Sequence, residues 1–224
     1  MLVQPLPQSV KFLTLFHLMK SMTVQPQTSR GGLPLTLMEC DLNFYHAETM
    51  FFISSFNTRT LNPFSRLSEL VLNAKLHKID IIAIQEHRFF HPDDAIKYHK
   101  VEDFQLVTAS CSKNFSIASV VGVCLLLSPR AMENLSKVEV ISPQVIIADF
   151  EGNPKTTIIS CHSPHNNSSD DDIEHFYTTL RSTIENVPAH NFLLIPGDFN
   201  AKLSPDNAKF TFHSETNRNG EHLV

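Results

Sequence analysis

Residues 191–201 read NFLLIPGDFNA. Phe192 to Ile195 is a short apolar run, closed at once by Pro196, Gly197, Asp198 and Asn200. A run this short, bounded by turn formers, reads as a buried strand. Its polar residues then sit at the strand's end. The same plan recurs upstream. FFISSFN (51–57) ends on Asn57, IDIIAIQEH (79–87) carries Glu86 at its end, and TTIISCHSP (156–164) carries His162. Singly, each has an ordinary explanation as a turn Asn, a solvated Glu, a loop His or a local Asp acceptor. Jointly, four apolar strands deliver an amide, a carboxylate, an imidazole, and a carboxylate with an amide. Side by side, such strands bring these groups to one rim, which is how a scaffold builds a catalytic cleft.

Between these strands the pattern is regular. Phe64–Lys78 has apolar positions at Leu67, Leu70, Val71 and Ala74, with Leu76 off the stripe, and predicts an amphipathic helix. Phe104–Ala109, Val120–Leu127, Lys137–Ser142, Gln144–Phe150 and Lys155–Cys161 read as strands joined by turns, hence antiparallel. A second helix follows Ser168 and Ser169, with Asp170, Asp171 and Asp172 in its first turn. There carboxylates complement the helix dipole. Its face is Ile173, Phe176, Tyr177, Leu180, Ile184 and Val187. The order β, α, β, a run of strands, α, β suits two packed sheets with helices outside.

Residues 1–50 differ from the rest. Pro5, Pro7, Pro26, Gly31, Gly32 and Pro34 interrupt them, and Lys11, Thr14 and His17 break the one apolar stretch. They are expected to be a loose, disordered leader without signal-peptide character, with the domain proper at 51–224. No run of about 18 apolar residues exists, so no membrane span is expected. The formal charge of −5 does not by itself mark a nucleic-acid binder, because the relevant field is local to a cleft. Basic residues scattered between Arg59 and Arg130 offer a positive rim. The four cysteines, 40, 111, 124 and 161, form no CxxC pair. A structural zinc site is therefore not expected, and a reduced, intracellular protein is.

The segments SFNTRTL, IDIIAIQEHR, CHSPHN and LLIPGDFNA, in this order, resemble the endonuclease/exonuclease/phosphatase superfamily. NTRTL before a helix and the late NRNGEHLV are most similar to the apurinic-type endonuclease domain of non-LTR retrotransposons and the craniofacial-development-protein-like sequences derived from them. The resemblance spans about residues 51–224. It implies an α+β fold, the four-layer α/β sandwich of DNase I, and metal-dependent phosphodiester hydrolysis. It also implies further strands and a terminal Asp-His pair, which this chain does not contain before Val224. The fold is therefore expected to be incomplete at the C-terminus and turnover reduced.

A phosphodiester is a poor, doubly shielded electrophile, so its hydrolysis needs charge neutralisation, an aligned water and a stabilised leaving oxygen. The resemblance makes Glu86 the principal metal ligand with Asn57 in support, an oxygen site for Mg2+ or Mn2+. Asp198 is expected to orient and deprotonate the attacking water. Asn200 is expected to fix Asp198 or donate to phosphate, and His162 to donate to the phosphate or the leaving group. Arg59, Arg88, His165, Asn166, Asn217 and Asn219 are candidate nucleic-acid contacts. Arg59 stands where apurinic-type enzymes carry an acidic residue. The implied partner is DNA, or RNA, within a longer endonuclease–reverse transcriptase polyprotein. Action on DNA implies the nucleus. Two other readings remain: a catalytically dead remnant that binds nucleic acid or protein, and a phosphatase or RNase of the same superfamily.

Overall fold

The structure, a computed structural model, describes residues 36–38, 51–61, 65–91, 95–111, 122–208, 211 and 213–224. The element that organises it is β3, Ile81–Gln85, in which every residue is buried. Its two faces meet different partners. Ile82 and Ile84 pack with Leu67, Leu70, Val71 and Ala74 of helix α1 (Ser65–Leu76). Ile81 and Ala83 pack against Ile146, Ala148, Phe150 and Ile158 of a second sheet. A strand covered on both faces loses the polar alternation of a half-solvated one, which is why residues 81–84 (IIAI) are continuously apolar. Leu76 falls outside the α1 stripe and is 73% exposed, as its spacing predicts.

β3 lies in a six-stranded sheet ordered β1 (Thr36–Met38), β2 (Ile53–Asn57), β3, β6 (Val123–Leu127), β5 (Phe104–Ala109), β4 (Ile96–Val101). β2 and β3 are parallel, whereas β3 and β6, β6 and β5, and β5 and β4 each pair antiparallel. The second sheet runs β10 (Phe192–Leu194), β9 (Thr156–His162), β8 (Val145–Phe150), β7 (Leu135–Ser142), with β11 (Gly197–Asp198) also pairing β9. Two short helices complete the elements named here, α2 (Pro129–Asn134) and α4 (Arg218–Glu221). Helix α3, Asp170–Glu185, covers the outer face of the second sheet. Its Ile173, Phe176, Tyr177 and Leu180 pack on Val145, Ile159 and Cys161. Ser169 caps α3 by accepting from the Asp172 N–H, and the three aspartates occupy its first turn. The layers are thus α1, sheet, sheet, α3, with one apolar core in each of the three interfaces.

Three residues of the 1–50 leader are described, and Thr36–Met38 pairs antiparallel with β2. The remainder of that segment lies outside the described residues, as do Phe64, Val120 and Val121. β4 and α2 are not evident in the sequence reading. β4 (IKYHKV) is a polar edge strand, and α2 is a six-residue turn of helix announced only by its Ser128 cap and Pro129. Among the described residues no helix is long and apolar enough to cross a membrane. Cys111, Cys124 and Cys161 are buried and free. Burial pushes the Cys124 and Cys161 thiols up, out of the reactive range.

His87, directly after Glu86, is fully buried, and its Nδ1 accepts the Phe89 N–H at 2.9 Å. Protonation would place a hydrogen where that donor already points. Burial, reinforced by the charges of His91 and His99, holds the imidazole down at about 3. The unfolded chain takes up this proton near pH 6.5, whereas the fold refuses it until about pH 3. His87 therefore contributes stability that is present above pH 6.5 and is lost as pH falls toward 3. Between pH 7 and 5 the loss is expected to be about 2 kcal/mol from this group. Urea midpoints at the two pH values should converge in His87→Gln.

Candidate active site

β2 and β3 run parallel in the first sheet, and β9 and β11 run parallel in the second. The C-terminal ends of both pairs open to the same side of the molecule. Asn57 is opposite Gln85 in register, so Glu86 follows beside it. His162 is opposite Asp198. Gln85 ties the two sheets beneath the site, with its Nε2 3.4 Å from Ser160 Oγ and its Oε1 accepting from Ser55 Oγ. Asn57, Glu86, His162, Asp198 and Asn200 are thereby brought together, as the strand-end pattern predicts.

Asn57 is the centre of the arrangement. Its Nδ2 donates to Glu86 Oε1 at 2.8 Å and to Asp198 Oδ2 at 2.9 Å, bridging the two sheets. Its Oδ1 accepts the Arg59 backbone N–H at 3.0 Å, which fixes the orientation of the amide. The expectation that Asn57 offers its carbonyl to a metal is therefore revised. The nitrogen, not the oxygen, faces the carboxylates.

Glu86 is held well below the usual carboxylate range, at about 2. The His162 imidazole contributes most, then the Asn57 amide, against the opposing cost of partial burial. Arg88 adds an ion pair, its guanidinium 3.4 Å from Glu86 Oε2. Since the unfolded carboxyl titrates near 4.5, the stabilisation is present above that pH and is lost as pH falls toward 2. Glu86 is thus an anion throughout the neutral range.

Asp198 is gripped from two sides, by Asn57 and by the Asn200 N–H on Oδ1 at 3.0 Å. The grip from Asn200 is a backbone bond. Its side-chain Nδ2 instead donates to Ser163 O at 2.9 Å, so the amide secures the turn after β9. Arg59, Glu86, Arg88 and Asn200 all have left-handed φ, between 48° and 61°. Non-glycine residues adopt this region at a cost, and strain of this kind concentrates at functional sites.

His162 is 1% exposed, which excludes a surface-loop residue and also removes it from direct contact with a phosphate. Its Nε2 lies 3.6 Å from Glu86 Oε1. His165, Asn166 and Asn217 line a cavity of about 340 Å³ beside the site, with Asn167, Asn200 and Lys202. A second cavity of about 450 Å³ shares Asn166, Lys202 and Asn217 with it and reaches His213 and Arg218. The two share that wall, and the first reaches Asn200.

Asn217 and Asn219 differ from expectation. Asn217 caps α4, its Oδ1 accepting from Gly220 and Lys202 N–H groups while its Nδ2 donates to Asn200 O. Asn219 is fully buried, donating to Pro164 O at 3.0 Å and accepting the Tyr177 hydroxyl at its carbonyl. Asn219 is therefore no nucleic-acid contact; it fastens the His162–Pro164 turn to α3. Ser163, unassigned in the sequence reading, is buried at that junction and donates to Phe199 O. Its only signal is its place inside CHSPHN. Of the scattered basic rim, Lys75 is paired with Glu102 and Asp103, and Arg130 with Asp80.

Gly197 explains the close approach of β11 to β9. A Cβ there would lie 2.3 Å from the Cys161 carbonyl oxygen and 2.7 Å from its Sγ. Gly197→Ala is expected to push Asp198 off His162 and to cost about 1–3 kcal/mol. Thermal melting measures the cost. Loss of activity beyond the lost folded fraction measures the displacement.

No protein-family model matches the chain. By sequence, 157 residues, 67% of the chain, are 25% identical to Craniofacial development protein 2 of Bos taurus. The match covers 24% of that protein, so the chain spans about a quarter of the curated relative's length. By structure, the chain superposes on an AP endonuclease from Leishmania major with a TM-score of 0.53 and 12% identity, covering 70% of this chain and 60% of that one. An AP endonuclease from Archaeoglobus fulgidus gives 0.52 and 19%, covering 78% and 70%. At these identities the likeness is one of fold. The two mixed sheets with flanking helices are the DNase I-like sandwich that AP endonucleases share.

Proposed function

We propose that this chain is a metal-dependent phosphodiester hydrolase, an endonuclease of the retrotransposon-derived branch that nicks DNA. The observation that carries this reading is the convergence of Glu86, His162 and Asp198, whose ligand atoms lie within 4.8 Å of one another, around the Asn57 bridge. Anionic groups gathered at the mouth of two sheets suit a divalent cation, and the donor set fits one. Glu86 and Asp198 would hold it, and when bound it would neutralise the charge of the phosphodiester. On oxygen ligands alone the ion would be Mg2+ or Mn2+.

The chain's own groups do the rest. Asp198 is aligned by Asn57 and the Asn200 N–H, and its free lone pairs take the proton of the attacking water. Asn57 keeps the two carboxylates in one register. Arg88, half exposed beside Glu86, is placed to meet a phosphate oxygen. The cavity beside Asn200, with Lys202 and His165 on its wall, would take the nucleic-acid backbone. NTRTL and NRNGEHLV favour the retrotransposon branch over the lipid enzymes of the wider superfamily.

The test is nicking of supercoiled plasmid with added divalent metal, against a chelated control. Metal-dependent nicking that Glu86→Gln removes supports an enzyme. No nicking at high protein concentration, with DNA still bound in a salt-dependent way, supports a binding remnant.

A further inference from the structure

Resting on the hydrolase reading above, we infer that His162 is itself a ligand in this centre, making a mixed nitrogen–oxygen site that takes Mn2+ or Zn2+ in preference to Mg2+. The imidazole is 1% exposed, yet neither of its ring nitrogens is hydrogen-bonded to any described residue. Buried polar nitrogens nearly always have a hydrogen-bond partner; Nδ1 has none here and Nε2 has only the Glu86 carboxylate at ion-pair range, which points to a group that belongs there. Nε2 faces Glu86 Oε1 at 3.6 Å, beyond hydrogen-bond length. Asp198 closes the third side, with all three ligand atoms within 4.8 Å of one another. An ion with bonds of about 2.0–2.2 Å would draw them together by roughly an ångström.

Charge points the same way. Glu86 and Asp198 approach closely enough for one nitrogen, Asn57 Nδ2, to reach both, at 2.8 and 2.9 Å. The formal cation nearest Glu86 among the described residues is Arg88, at 3.4 Å and half exposed. A divalent cation offsets two such carboxylates far more fully than an exposed guanidinium does. The third ligand then decides which cation. Mg2+ demands oxygen and keeps its waters, whereas imidazole suits Zn2+ and its neighbours, with Mn2+ able to use both donor types. An ordinary His162–Glu86 ion pair is the competing explanation.

The experiment uses the full chain, stripped with chelator, and the metals alone. Calorimetric titration with Mn2+, Zn2+ and Mg2+ is expected to give at least about tenfold tighter binding of the first two. In protein labelled with 15N-histidine, one equivalent of Zn2+ should shift one imidazole nitrogen. That signal should vanish in His162→Asn, together with the tenfold preference. Equal affinity for Mg2+, a preference intact in His162→Asn, or Zn2+ binding intact in Glu86→Gln each overturns the inference. Should His162→Asn fail to fold, the native chain still decides: no histidine nitrogen shift on Zn2+ binding overturns it. The two readings separate cleanly. A chain that binds Mn2+ through His162 and nicks nothing keeps this inference and loses the hydrolase. A chain that nicks with Mg2+ and ignores His162→Asn does the reverse.

Discussion

Asp198→Asn is expected to lower plasmid nicking by about 10²–10⁴-fold, the range for losing a general base. The substitution keeps the volume and the Oδ1 acceptor for the Asn200 N–H. It replaces the Oδ2 acceptor with an NH2 group that faces the Asn57 NH2, so two donors meet where one bond was. The carboxylate, its proton affinity and half of the site's negative charge are lost together. Asp198→Ala removes the clash but also the charge, and should be as inactive. A melting temperature within a few degrees of the parent would show that the loss lies in chemistry. Nicking within threefold of the parent in both variants would remove Asp198 from the mechanism.

The second large effect is on stability. Asp80 is the second residue of IDIIAI, just before β3, and is 7% exposed. It accepts from the Phe52 N–H at 2.9 Å, the Ser128 hydroxyl at 3.1 Å and Arg130 Nε at 3.0 Å, and pairs with the Arg130 terminal nitrogen. One carboxylate thus joins the start of β2, the cap of α2 and the entry to β3. Asp80→Ala leaves the buried Ser128 hydroxyl and the part-buried Phe52 N–H without their acceptor. Breaking such a pair costs about 3–5 kcal/mol, and the lower end applies because the Arg130 side chain is 42% exposed. Chemical denaturation should show a midpoint shift of that size with an unchanged slope. Arg130→Ala should cost less, since Phe52 and Ser128 keep their bonds. An equal loss in the two variants would place the effect elsewhere.

Much of the fold was legible for a simple reason. A strand buried on both faces must be apolar at every position, and an outer helix must be apolar at helical spacing. IIAI (81–84) and the face of Ile173, Phe176, Tyr177 and Leu180 carry those signals without ambiguity. β4 does not, because an edge strand with Tyr98 half exposed has no face that must be apolar. At the site, the strand ends identified which side chains meet, but not how each is turned. Asn57 was read as an oxygen ligand, and the Arg59 N–H turns its oxygen away. Asn219 was read as a nucleic-acid contact, and α4 folds it inward under Tyr177. Both depend on backbone groups brought from elsewhere in the chain.

The order of apolar runs, and the acid, amide and imidazole at their ends, was determined by the sequence alone, because burial constrains residue type locally. Tertiary structure decided the burial of His162, the bridge from Asn57 to both carboxylates, and the internal use of Asn200, Asn217 and Asn219. Those depend on the packing of one sheet against the other, a distance that no local run of residues encodes.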